Sequence, residues 1–205
     1  NLESVSTGTG SEAVTGGIKY DALNRVIRTT DARGVETVLV LDARGNVEEK
    51  TENAGAILDA PARTTRYTYD ELDRLLTEVS PLGTLSRYQY DGAGNVVRLE
   101  VTDPLDPQHP RVQRFEYDDG GRLKASIDAM TVRTEYHYDA LGNTTRIDHA
   151  VGTDDAYTEH FEFDAAGRMV ARIDGENQRT EYRYDAGGDL VRLTEAAGTA
   201  SERVT

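Results

Sequence analysis

One short motif recurs eight times along the chain and limits what it can fold into. Each copy has an apolar or aromatic pair two residues apart, then Asp, two free positions, and Gly, Asn or Asp; R-Y-T-Y-D-E-L-D-R at residues 66–74 is representative. The second residue of the pair is Tyr20, Leu41, Tyr69, Tyr90, Tyr117, Tyr138, Phe163 or Tyr184. An Asp follows every one: Asp21, Asp42, Asp70, Asp91, Asp118, Asp139, Asp164 and Asp185. Self-similarity of this kind implies one supersecondary unit repeated, each copy needing its neighbours to cover its apolar face.

Within a copy the period is two. Tyr67 and Tyr69 flank Thr68, Tyr88 and Tyr90 flank Gln89, and Phe161 and Phe163 flank Glu162. Phe115 with Tyr117, Tyr136 with Tyr138, and Tyr182 with Tyr184 complete the aromatic pairs, while Ile18 with Tyr20 and Leu39 with Leu41 are the mixed ones. Such alternation marks a half-buried strand. A second alternating strand follows the turn, as in Leu75-Thr77-Val79, Leu123-Ala125-Ile127, Met169-Ala171-Ile173, Val97-Leu99-Val101 and Val191-Leu193.

Between the strands, Asp-x-x-Gly suits a type I turn closed by a residue in the left-handed region, the common three-residue hairpin loop. The left-handed position falls on Asn24, Gly45, Asp73, Gly94, Gly121, Gly142, Gly167 and Gly188, the residue types most tolerant of positive φ. The eight aspartates and these partners are expected to shape the turns. The twelve aromatics from Tyr67 to Tyr184 that make up the pairs are expected to pack.

Spacing between copies alternates as 21, 28, 21, 27, 21, 25 and 21 residues, so the true unit is a double hairpin of 49, 48 and then 46 residues. After the turn, odd copies carry Arg25, Arg74, Arg122 and Arg168, whereas even copies carry Asn46, Asn95, Asn143 and finally Asp189. Short gaps should bend at Asp31–Gly34, Ser80–Gly83, Asp128–Thr131 and Asp174–Asn177. Long gaps should form loops on one side of the array, such as Thr102–Pro110, which holds three of the five prolines. About 16 strands and almost no helix are expected; a stretch around Asn53–Ala60 stays unassigned. Asn1-Leu2 reads as the tail of an even copy and Glu202–Thr205 stops just short of another. Residues 1–205 are therefore read as a single array without a second domain, part of a longer repeat chain.

Composition alone would suggest disorder, because Leu, Ile, Val and Phe total about 20% and the net charge is −14. The aromatics argue otherwise: 13 of the 14 lie in the motif, Tyr157 being the exception. No basic stripe suits a nucleic-acid partner. No apolar run reaches the roughly 18–20 residues of a membrane span, and the polar first 15 residues do not read as a secretory signal. The chain has no Cys.

R-Y-T-Y-D-E-L-D-R, R-Y-Q-Y-D-G-A-G-N, E-Y-H-Y-D-A-L-G-N and E-Y-R-Y-D-A-G-G-D closely resemble the tyrosine–aspartate (YD, or Rhs) repeats of bacterial polymorphic toxins and teneurins. The resemblance covers nearly the whole chain and departs at Leu41, Phe163, Asn24 and Asp73. It implies an all-β fold: tandem hairpins in a curved, spiralling sheet, here an arc of a hollow β-shell. In toxin members such a shell encloses a C-terminal toxic domain; in eukaryotic relatives it is an extracellular adhesion scaffold, and a carbohydrate role has been suggested. A self-cleaving Asp-Pro-x-Gly type motif often ends the toxin shell, but Asp103-Pro104-Leu105 and Asp106-Pro107-Gln108 lack the glycine.

Eight recurrences at a fixed turn position favour capping over paired-carboxylate catalysis for the aspartates. Asp118-Asp119 and Asp154-Asp155 lack a calcium-loop context, and Asn143-Thr144-Thr145 fits a glycosylation sequon only because Asn is the usual even-copy residue. His109, His137, His149 and His160 show no metal-ligand spacing along the chain, and no nucleophile elbow, phosphate loop or dinucleotide fingerprint occurs. The expectation is a non-enzymatic, cofactor-free wall, exported with its parent, whose partners are neighbouring repeats and an enclosed toxin domain. The alternative is an adhesion or glycan-binding scaffold.

Overall fold

A computed structural model describes residues 2–7, 14–54, 61–198 and 202–205. The chain divides into two compact units: residues 1–89 with 98–112, and residues 90–97 with 113–205. All regular structure among the described residues is β.

In the first unit the strands are β1 (Leu2–Thr7), β2 (Val14–Tyr20), β3 (Val26–Thr30), β4 (Glu36–Leu41), β5 (Val47–Glu52), β6 (Arg63–Tyr69), β7 (Leu75–Val79) and β8 (Leu85–Tyr90). Each pairs antiparallel with the next, a plain meander. Strands β9 (Val96–Asp103) and β10 (Asp106–Tyr117) follow. In the second unit the meander resumes with β11 (Leu123–Ile127), β12 (Arg133–Tyr138), β13 (Thr144–His149), β14 (Tyr157–Phe163), β15 (Met169–Ile173), β16 (Arg179–Tyr184), β17 (Leu190–Glu195) and β18 (Arg203–Val204). Antiparallel neighbours joined by short turns follow directly from tandem hairpin signals.

One sequence expectation needs correction. Thr102–Pro110 is not a loop but the end of a long hairpin, with only Pro104 and Leu105 between β9 and β10. Asp103 Oδ1 accepts the Leu105 N–H at 2.8 Å and Pro104 supplies the preset φ, so two residues suffice for the reversal. Pro107 and Pro110 are tolerated in β10 because that segment is exposed; its register with β11 begins only at Arg114. Among the described residues there are 18 strands, the expected sixteen or so together with β1 and β18. The unassigned stretch around Asn53–Ala60 lies, from residue 55, outside the described residues.

The register separates two faces. Residues directly opposite one another share a face, so Tyr136 with Ile147, Phe161 with Arg172, and Tyr182 with Leu193 lie on one side. Glu116, Ala125 and Glu135 occupy the other, as do Glu162, Ala171, Glu181 and Thr194. All sixteen paired motif positions are half-buried, and the residues between them are exposed except His137. The most buried residues, Ala125 and Ala171 at 0% and Thr194 at 5%, stand on the face opposite the aromatics. A register shift at the end of the motif strands, for example between Glu116 and Tyr117 and between Glu162 and Phe163, explains how Leu123 and Met169 line the aromatic face while Ala125 and Ala171 turn away. An extra residue at a bulge breaks the alternation after the first position.

Candidate functional site

The recurrent feature with geometry specific enough to suggest a role is the ladder of motif turns. In each turn the Asp carbonyl accepts the N–H three residues on, as for Asn24 and Asp21 at 3.1 Å or Gly94 and Asp91 at 3.2 Å. The Asp N–H donates to the carbonyl four residues on, 2.9 Å for Asp21 and Arg25. Asp Oδ1 accepts the N–H groups two and four residues on, at 2.9 Å each for Asp118 with Gly120 and Arg122. Every fourth position has positive φ, from 60° at Asp73 to 105° at Gly45.

The Arg/Asn alternation now has a chemical meaning. Both residue types donate to Oδ2 of the same Asp: Arg25 Nε to Asp21 at 2.7 Å, Arg122 Nε to Asp118 at 2.7 Å, Asn95 Nδ2 to Asp91 at 2.9 Å and Asn143 Nδ2 to Asp139 at 2.9 Å. The Arg has a second function. Its Nη1 reaches the Asp carbonyl of the next turn, at 3.0 Å from Arg25 to Asp42, 3.2 Å from Arg122 to Asp139 and 3.4 Å from Arg168 to Asp185. Asn46 likewise reaches Asp73 Oδ1 at 2.8 Å. A guanidinium can serve both acceptors because its donors form a rigid fork. Asp189, at the position of the even-copy asparagines, supplies a carboxylate where those supply a donor.

The motif tyrosine closes the ladder from the other side. Tyr69, Tyr117, Tyr138 and Tyr184 donate their hydroxyls to the carbonyls of Val47, Val96, Leu123 and Met169, at 3.0, 3.0, 2.8 and 2.9 Å. Each acceptor is the residue that follows the Arg or Asn after the preceding turn. Arg122 and Arg168 also lie over the rings of Tyr138 and Tyr184, 4.8 and 4.9 Å from the centroids. Phe163 and Leu41 lack the hydroxyl.

The electrostatics fit capping. Asp21, Asp70, Asp118 and Asp164 are held below the ordinary carboxylate range, first by the backbone N–H of the Arg four residues on. For Asp91 and Asp139 the side-chain amides of Asn95 and Asn143 lead. At Asp42 burial pushes upward, yet the Asn46 side chain and the turn N–H groups outweigh it. A carboxylate so engaged is a weak base and stays ionised near neutrality, the opposite of an acid–base catalyst.

Tyr67, Tyr69, Tyr88, Tyr90, Phe115, Tyr117, Tyr136, Tyr138, Phe161, Phe163, Tyr182 and Tyr184 are all half-buried. In the second unit Tyr136, Tyr138, Phe161 and Phe163 line an open concavity with Leu123, Ile147 and Met169. Tyr157 lies apart, its ring stacked on His149 with centroids 4.3 Å apart.

The chain pattern did not reveal one charged cluster. His137 Nε2 lies 2.8 Å from Asp148 Oδ2, and Arg146 Nη2 lies 2.8 Å from each of those atoms. Thr158 Oγ1 donates to Asp148 Oδ1 at 2.8 Å, and Arg133 Nε to Glu135 Oε1 at 2.7 Å. Glu135, His137 and Asp148 form the group of potential metal ligands found among the described residues. Linear spacing missed it because the ligands come from adjacent strands, Glu135 standing directly opposite Asp148.

Comparison with known proteins places these features. The family model described as the teneurin YD-shell matches residues 13–192. Over 103 residues the chain is 31% identical to the double-stranded DNA deaminase toxin A of Burkholderia cenocepacia, covering 43% of this chain and 7% of that protein. Among solved structures it resembles the TcdB2-TccC3-Cdc42 crystal structure at 16% identity and TM-score 0.54, covering 94% of this chain and 15% of the other. A Photorhabdus luminescens Tc holotoxin pore matches at 14% identity and TM-score 0.50, with 95% and 14% covered. The chain thus spans a small part of each relative's length.

Proposed function

Because the chain belongs to the teneurin YD-shell family, we propose that it is a non-enzymatic wall segment that encloses or presents a toxic domain encoded elsewhere in its parent polypeptide. The observation that carries this reading is the turn ladder, in which the repeated Asp, Arg, Asn and Tyr chemistry is consumed in joining one copy to the next. The hydroxyls of Tyr69, Tyr117, Tyr138 and Tyr184, the turn carboxylates and the Arg forks are engaged by the array itself, which suits a wall. The half-buried aromatics of the second unit supply an apolar lining on one face. Likeness to a deaminase toxin and to Tc toxin assemblies supports a toxin setting, with export as part of the parent protein.

The test is limited proteolysis of the parent polypeptide, following the domain beyond the repeats. Protection of that domain should be lost when Arg122→Ala and Tyr138→Phe are combined to break the ladder. Equal digestion of the domain in both proteins, with the repeats themselves intact, would overturn the reading.

A further inference from the structure

We propose that Glu135, His137 and Asp148 in the second unit form a divalent-cation site of the zinc class, for which the Arg146 guanidinium competes. The three residues offer one imidazole nitrogen and two carboxylate oxygens, all within 4.8 Å of one another. Imidazole with carboxylates suits zinc, which binds such ligands at about 2.0–2.2 Å. At that radius, neighbouring ligand atoms around a tetrahedral ion lie about 3.3–3.6 Å apart. The observed separation of 2.8 Å between His137 Nε2 and Asp148 Oδ2 therefore needs to open by about 0.5–0.8 Å.

The contacts around His137 are in mutual conflict. One ring nitrogen lies 2.8 Å from both a guanidinium donor and a carboxylate acceptor. With a proton on Nε2 the histidine suits Asp148 and opposes Arg146; with a lone pair there it suits Arg146 and opposes Asp148. A divalent ion resolves this, because it takes a lone pair from Nε2 and from Oδ2 together.

The surroundings are set for the exchange. Thr158 holds Asp148 Oδ1, so Oδ2 faces the imidazole, the kind of outer partner that orients a metal ligand. Arg133 Nε donates to Oε1 of Glu135 at 2.7 Å, and one carboxylate oxygen of Glu135 belongs to the group. The Arg146 side chain is 44% exposed against 18% for Asp148, so it can withdraw to solvent without opening the sheet. The ligands lie on neighbouring strands β12 and β13, and an ion there would pin the two together.

The experiment is isothermal titration of ZnCl2 into the full chain, comparing wild type with His137→Gln and Arg146→Gln. One ion should bind per wild-type chain. His137→Gln should weaken that binding at least tenfold, and Arg146→Gln should tighten it about tenfold, since the competing cation is gone. The histidine ring signals of the wild-type chain, followed by NMR, should shift at His137 first. Equal uptake by wild type and His137→Gln would mean adventitious surface binding and sink the proposal. So would an Arg146→Gln variant with no gain. If His137→Gln fails to fold by circular dichroism, an unmoved His137 signal in the wild-type titration is the overturning result.

Discussion

The two units cover the same row of positions in different ways. In the second unit Arg133 on β12 reaches across β11 to grip Glu116 with two hydrogen bonds of 2.8 Å, passing over Ala125. The arrangement recurs one double repeat later, where Arg179 holds Glu162 at 2.7 and 2.8 Å over Ala171. In the first unit the corresponding row carries Thr68 and Thr77, joined through their hydroxyls at 2.7 Å, with Leu85 in the arginine's place. The row before it carries Arg28 in the centre, paired with Glu36 at 3.0 Å. A bidentate clamp needs a strand between its partners that stands no taller than a methyl group. Ala125 and Ala171 are fully buried beneath the guanidinium stems for that reason. Backbone geometry can therefore repeat while the cover on one face changes from an ion pair to a hydroxyl pair.

The sharpest way to break the clamp is from beneath. Ala171→Leu adds bulk where no surface is exposed and should cost about 1–3 kcal/mol in urea unfolding, as overpacking generally does. Thr77→Val in the first unit removes only a hydroxyl contact and should cost about 1 kcal/mol. Equal losses would show that the alanine is not confined by the clamp.

The turns opposite the motif ladder offer a second contrast. Gly34 and Gly83 occupy the left-handed position in the first unit, at φ 79° and 85°; Thr131 and Asn177 do so in the second, at 67° and 61°. A β-branched residue at positive φ is strained. Exchanging the residue types should separate the units: Gly83→Thr should destabilise by about 1–3 kcal/mol and Thr131→Gly should stabilise by about 1 kcal/mol. Pro104 adds to the first effect, its Cβ lying 3.4 Å from where a side chain at Gly83 would begin. Thermal melting of both variants checks the signs.

A smaller effect is expected at the motif tyrosine. Tyr138→Phe deletes the hydroxyl bond to Leu123 while keeping the ring under Arg122, and should cost about 0.5–1.5 kcal/mol. Leu41→Tyr should recover up to about 1 kcal/mol in the first unit. Arg25 already donates to the Asp42 carbonyl there, as Arg122 does to Asp139. A neutral Leu41→Tyr would show that the ladder at that copy has settled without the ring.

These contrasts also show what was legible in the sequence. The hairpin array could be read because its signals are local: a two-residue period, then a turn residue at a fixed offset. The Arg/Asn alternation was visible too, but its meaning depended on Asp Oδ2, which both residue types reach. Contacts between strands were not legible. The Tyr138 bond to Leu123, the clamp from Arg133 to Glu116, and the meeting of His137 with Asp148 all depend on register. Register in turn depends on the bulge before Tyr117 and its counterparts. The hairpin through Thr102–Pro110 was hidden for another reason: three prolines read as a loop, although an exposed strand tolerates them.

The weakest effect should appear only in acid, and it separates the two kinds of cover. Glu116 and Glu162 are held below the usual carboxylate range, first by side-chain hydrogen bonds from Arg133 and Arg179 and with burial opposing. A depressed folded value means that the stabilisation is fully present above the unfolded glutamate value, near about 4.3. It is lost as pH falls through the lower folded value. Both side chains are about half exposed, 46% and 49%, so solvent screening keeps the effect small. The lowered turn aspartates, such as Asp21 and Asp70 in the first unit and Asp118 and Asp164 in the second, give every variant a common acid slope. Against that background, Glu116→Gln with Glu162→Gln should lower the melting temperature slightly at pH 7 and flatten its fall below about pH 4.5. Thr68→Val should leave the curve parallel to wild type, because a hydroxyl pair has no proton to gain. Parallel curves for the glutamine pair as well would mean that the clamps hold by packing over the alanines, with their charge contributing nothing measurable.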